Sequence, residues 1–204
     1  MVIKFDHISY SASMCEEENV RQRFDGYKLI FEERELDNLD IKAGYFGSWH
    51  DKHNILMLGA EGQYPVELTL YDACVGTNNV YSLKDEEIIF RSANINESKR
   101  FFGMFDFSGE GDKLSVKPML DAGPVILRLE EIADKAGEDK VLLDKAGFGS
   151  LALVVDSIDR YAAGIKEAGY IITDTKSLMV NGKMLKIAFA SGKCNEIVEL
   201  IGVR

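Results

Sequence analysis

Four polar residues stand inside apolar strand-like runs: His7 in VIKFDHISY, Glu67 in VELTLYD, Ser150 in GSLALVVD and Glu199 in EIVELIG. Imidazoles and carboxylates move protons near neutral pH, and they ligate divalent cations. For His7 and Glu67 two readings stand together. They are a metal-ligand pair, or they are a histidine hydrogen-bonded to a carboxylate in a polar cavity. Glu199 lies in an apolar strand, where a carboxylate buried alone costs several kcal/mol. It therefore needs a partner, metal or otherwise, unless it marks a solvent-facing strand end. Ser150 has no G-x-S-x-G elbow around it and no histidine in the C-terminal half to activate it, so a nucleophilic role is not expected.

The loop GSWHDKH, Gly47–His53, holds the only tryptophan and the other two histidines. His50 and His53 either act as acid and base over a cavity or belong to a solvated loop joining two strands. Phe101, Phe102, Phe105 and Phe107 either line an apolar ligand pocket or fill a core. The acidic run Glu16–Glu18 suits the first turn of a helix.

Repeated elements must position these residues. FDHISYSASMCEEENVRQRFDGYKLIFEE and GSLALVVDSIDRYAAGIKEAGYIITD share one order: strand, polar turn, helix, Gly-Tyr, strand. EIIFRSANINESKRFFGMFDFS is a shorter copy. The helix after Ser157 carries Ile158, Tyr161, Ala162, Ile165 and Ala168 on one face, with Ser157 as its cap and Gly169 as its stop. Helices are also expected near Glu16–Asp25, stopped by Gly26, and near Asn96–Phe105. Ile55–Asp72 and Leu185–Gly202 read as hairpins, and PVILRLEE closes the middle copy. Three units follow, near residues 1–72, 86–131 and 148–204, each roughly strand–helix–strand–strand–strand. Side chains alternate along a strand. Val66, Leu68 and Leu70 therefore oppose Glu67, Thr69 and Tyr71, and Val198 and Leu200 oppose Ile197, Glu199 and Ile201. In the strand opened by Ser150, Leu151, Leu153 and Val155 oppose Ser150, Ala152 and Val154. Ile8 and Tyr10 oppose Phe5, His7 and Ser9. The second sets place His7, Glu67, Ser150 and Glu199 on the face away from the helices.

The composition excludes several classes. With 204 residues, 46% of them hydrophobic, the chain can bury a substantial core. A net charge of −10 with scattered lysines argues against nucleic-acid and anionic-membrane partners. No apolar run is long enough for a membrane helix, and no secretion signal is evident. Cys15, Cys74 and Cys194 are too far apart for a zinc spacing or a disulfide framework. A reduced, cytoplasmic protein is expected.

On the repeated units and the placement of His7, Glu67, Ser150 and Glu199, the chain resembles the vicinal oxygen chelate superfamily, which includes glyoxalase I, bleomycin-resistance proteins and extradiol dioxygenases. The resemblance is strongest over Gly147–Gly202, next over Val2–Asp72. It implies an α+β fold of repeated βαβββ modules forming curved, partly open barrels, with an extra N-terminal module. The implied division is a module over 1–75 and a glyoxalase-like domain over 85–204, made of modules 85–131 and 148–204. Metal-dependent members place a ligand on the first and last strands of a module. Carried over, pairing the N-terminal and C-terminal units gives His7, Glu67 and Glu199 as the metal set, with Ser150 a poor fourth; pairing the middle and C-terminal units leaves only Glu199, and pairing two N-terminal units across a dimer gives two His7 and two Glu67. The middle unit holds Ile88 and Ile126 at about those positions, which departs from the pattern. The implied cofactor is a divalent metal such as zinc, nickel, iron or manganese. Glu67, His50 and His53 are the candidate proton-moving groups, and Ser150, Tyr71 and Phe101 the candidate substrate contacts. The expected function is handling a small oxygenated metabolite by lyase, isomerase or dioxygenase chemistry. The alternative is metal-free small-molecule binding or antibiotic sequestration. An unpaired module would need its open face covered, so a homodimer is expected.

Overall fold

A computed structural model describes residues 1–84, 86–132 and 140–202; the expected boundaries at 85 and 204 lie outside the described residues. The first unit runs β1 (Val2–Ser13), a 3-10 turn (Met14–Glu16), α1 (Glu17–Arg23), β2 (Lys28–Asp37), a 3-10 segment (Asp40–Tyr45), β3 (Lys52–Gly59) and β4 (Val66–Tyr71). The middle unit runs β5 (Tyr81–Lys84), β6 (Glu87–Ser92), α2 (Ile95–Gly103), β7 (Lys113–Val116) and β8 (Val125–Glu131). The third runs β9 (Gly147–Val155), α3 (Ile158–Glu167), β10 (Ile171–Ile172), β11 (Lys176–Val180), β12 (Lys183–Ser191) and β13 (Ile197–Gly202).

The helices begin and stop for local reasons. Asn94 caps α2 by accepting from the Glu97 amide, and Ser157 caps α3 by accepting from the Arg160 amide. Gly26 and Gly169, at φ of 86° and 79°, supply the left-handed residue past α1 and α3. Both expected hairpins form, β3 with β4 and β12 with β13.

The repeat is a repeat of topology. In each unit the first long strand runs parallel to the last: β1 to β4, β6 to β8, β9 to β13. β1 pairs antiparallel with β9, uniting the first and third units in a nine-stranded sheet of order β10-β12-β13-β9-β1-β4-β3-β2, with β11 paired to β12. The middle unit forms its own sheet, β5-β6-β8-β7. The reason lies at the edge of that sheet. β6 is the counterpart of β1 and β9, and β5 occupies the edge through which those two strands meet.

One face of the large sheet carries the main core. Val66, Leu68, Leu70, Leu151, Leu153, Val155, Val198 and Leu200 lie there, all as the alternation predicts. They share it with Phe90, Phe101, Phe102 and Phe105 of the middle unit and with Ile158, Tyr161 and Ile165 of α3. The aromatic cluster of α2 is thus core packing. The opposite face is left to line a cavity. Among the described residues, no helix is long and apolar enough to cross a membrane.

Candidate functional site

The cavity, of about 360 Å³, lies on that second face. Ile3, Ile55, Met57, Val154, Ile187 and Ile201 give it apolar walls. The outer strands of the sheet approach each other beside it. The β11–β12 turn, with Asn181 and Gly182 at φ of 47° and 69°, reaches β2, where the Asn181 amide donates to Glu33 Oε1 at 2.8 Å. Phe31 from β2 and Leu178, Val180 and Leu185 from the hairpin add to the lining.

His7, Glu67 and Glu199 meet in this cavity. His7, 2% exposed, points Nε2 toward Glu67 Oε2 at 3.6 Å and Glu199 Oε2 at 4.0 Å. Its Nδ1 lies 3.0 Å from Asp6 Oδ2. Glu67 is oriented through its other oxygen: Oε1 accepts from Thr69 Oγ1 at 2.9 Å and Ser9 Oγ at 3.4 Å. Asp6 lines the cavity beside His7, although strict alternation would send it to the other face. The β1–β9 register shifts between Phe5 and His7. That irregularity sends Phe5 into the core, against the expected shared face with His7, and leaves Asp6 and His7 both in the cavity.

Burial and charge compete here. Burial opposes a charged His7, but Glu67, then Asp6 and Glu199, outweigh it and push its pKa up to about 9. For Asp6, burial is outweighed by His7 and Lys4, and its pKa falls to about 2. Glu199 is held above the usual carboxylate range by burial and by the charge of Glu67.

No family model matches the sequence, and no curated protein does. Solved structures do resemble it. Methylmalonyl-CoA epimerase from Mycobacterium tuberculosis matches at 13% identity with a TM-score of 0.46, over 100% of this chain and 89% of that one. A glyoxalase I mutant from Zea mays matches at 14% identity and 0.39, over 97% and 67%. A proposed dioxygenase of Bacillus subtilis matches at 12% identity and 0.41, over 98% of this chain; the chain spans 63% of that protein's length. These neighbours are vicinal oxygen chelate proteins.

A metal in such a site would be held by His7, Glu67 and Glu199, and the donor set suits a divalent ion. The His7 Nε2 atom is buried and makes no hydrogen bond among the described residues. Metal bonds of about 2.0–2.2 Å bring neighbouring ligand atoms to roughly 3 Å. The distances of 3.6 and 4.0 Å are wider than that. Among the described residues, no group of three or more His, Cys, Asp or Glu could hold a metal ion as placed.

The other candidates lie elsewhere. Ser150 sits opposite Ser9 across β1 and β9, 1% exposed, its hydroxyl without a hydrogen bond among the described residues and outside the cavity lining. His50 pairs Nδ1 with Asp72 and holds Nε2 3.4 Å from Asp144 Oδ2. Asp144, fully buried, accepts from the Gly47 and Ser48 amides at 2.9 and 3.0 Å and so fastens the Gly47–His53 loop. His53 is buried behind Tyr71, their rings 6.0 Å apart. Tyr71 packs against His50 and Phe46, and Phe101 against Phe102, Phe105 and Tyr170. Asp6 and Lys42 are among the cavity residues that escaped the sequence reading. Asp6 was hidden by the bulge, although its place next to His7 was a signal. Lys42 stood in a polar loop, where a lysine ordinarily reads as solvated.

Proposed function

We propose that this is a glyoxalase-like protein that handles a small oxygenated metabolite in the cavity, by divalent-metal-dependent lyase, isomerase or dioxygenase chemistry. One observation carries the reading: the buried Nε2 of His7, which makes no hydrogen bond among the described residues, faces two carboxylates inside a mostly apolar cavity. A bound metal would act as a Lewis acid on vicinal oxygens of the metabolite. The chain's residues supply the rest. Asp6 fixes the His7 ring, and Thr69 and Ser9 fix Glu67, so the donors are oriented before any ligand arrives. Glu67 or Glu199 takes and returns the proton of the metabolite. The apolar walls exclude water from the reacting atoms. A homodimer belongs to this reading, and sedimentation velocity tests it.

Isothermal titration of chelator-stripped protein with zinc, nickel, iron(II) or manganese tests the metal. Uptake of one ion per chain is expected, weakened at least about tenfold by Glu67→Ala. Failure of the wild-type protein to take up any of the four would overturn it. A second reading, metal-free binding, is supported by the same geometry: a protonated His7 between Glu67 and Glu199 satisfies the charges without an ion. A thermal-shift response to small organic ligands with no response to metals would favour it.

A further inference from the structure

Lys42 is the cavity charge that this chemistry leaves unused. It stands on the 3-10 segment between β2 and β3, is only 8% exposed, and lines the cavity with His7, Glu67 and Glu199. Among the described residues its ammonium has no carboxylate at ion-pair distance and no hydrogen-bond acceptor. It lies 5.7 Å from the centre of the Phe189 ring. The other cavity lysines differ. Lys4 is paired with Asp6 at 3.3 Å, and Lys183 is exposed at the β11–β12 turn.

Lysines are seldom this buried, because an ammonium that loses water must recover its solvation from something. The Lys42 nitrogen keeps some solvent contact, and its charge acts on Glu199 without a direct ion pair. The Phe189 face recovers part of the lost solvation. A ligand oxyanion recovers more, because a charge-assisted hydrogen bond in a site shielded from water is among the stronger polar contacts. The surrounding charges also fix the sense of binding. Asp6, Glu67 and Glu199 repel an anion at their end, which favours a negative group beside Lys42.

We propose that the metabolite is a small organic acid whose carboxylate pairs with Lys42 while its adjacent oxygen faces His7, Glu67 and Glu199. This rests on the reading of the cavity as the ligand site, and it names the substrate class within that reading. The volume of about 360 Å³ is at the lower end for ligand sites, which suits an acid of modest size with an apolar body.

Mandelate and its neutral isostere mandelamide serve as probes, each titrated into the protein by calorimetry and by amide NMR. The wild-type protein should bind mandelate at least about tenfold more tightly than mandelamide. Lys42→Met should remove that preference while leaving mandelamide binding unchanged, and Lys42→Arg should keep most of it. Lys42→Gln gives the same comparison if the methionine variant does not fold, and circular dichroism checks each fold. Equal binding of both probes to the wild type, or a preference that survives loss of the Lys42 charge, overturns the anion subsite and leaves the cavity reading intact. No perturbation of cavity residues by either probe overturns the cavity reading as well.

Discussion

Asp6 and His7 act as a pair. The carboxylate holds the imidazole by Nδ1 and so aims Nε2 at Glu67 and Glu199. Asp6→Asn keeps the shape and removes the charge. Metal affinity, measured by competition with a chromogenic chelator, should fall about 10–100-fold. An unchanged affinity would show that the ring is held by its other contacts. His53 makes a separate statement about pH. Burial, then the charge of Lys42, outweighs the Leu36 backbone and depresses its pKa from 6.5 to about 2. Below pH 6.5 the unfolded chain therefore takes up a proton that the folded chain refuses. The stability due to this group is complete above 6.5 and is lost as pH falls, by up to about 1.4 kcal/mol per pH unit. His7, raised to about 9, works in a different window: its contribution is present below 6.5 and lost as pH rises toward 9. Urea unfolding at pH 6.5 and 5.5 should show a fall in the wild type that is smaller in His53→Phe. Equal falls in the two proteins would refute a neutral, buried His53.

At the level of elements, the helices belong to the main core and the cavity belongs to strands and turns. Ser157 caps α3 with a 3.3 Å hydrogen bond from the Arg160 amide. Ser157→Ala should cost about 1 kcal/mol in thermal unfolding. It should leave metal and probe binding unaltered, because α3 packs on the face opposite the cavity. A loss of binding would mean that α3 governs the cavity after all. The 3-10 segment after β2 is the opposite case. It is short and polar in sequence, yet it delivers Lys42 to the cavity and Tyr45 to a second apolar cluster with Phe189. The bulge in β1 does comparable work on a smaller scale, since it lets one strand contribute two adjacent side chains to one face.

In the whole molecule, the middle unit is the floor under the large sheet. Its Phe101, fully buried, meets Tyr170 of the third unit with ring centres 5.2 Å apart. Tyr81 and Ile197 are joined by hydrogen bonds of 3.3 Å in both directions. A core shared in this way should unfold as one. Phe101→Ala is expected to cost about 3–5 kcal/mol. Fluorescence of the single tryptophan, Trp49 in the first unit, and far-ultraviolet circular dichroism should report the same transition. Two separated transitions would show that the units are energetically independent.

The sequence determined the local structure. Alternation placed Leu68, Leu153 and Leu200 in the core and Glu67 and Glu199 on the other face, because side-chain direction in a strand has a period of two residues. Caps and glycines marked the helix ends, and repetition of the strand–helix order revealed the units. Three features were decided only by the tertiary structure. The pairing of β1 with β9 depended on β5 filling the matching edge of the middle sheet, which is a matter of competition between distant strands. The presence of Asp6 in the cavity depended on a register shift that breaks the two-residue period. The burial of Lys42 depended on how a polar segment folds over a cavity formed by strands far from it in the chain. Periodicity records which way a side chain points from its own strand; long-range contacts settle what it meets there.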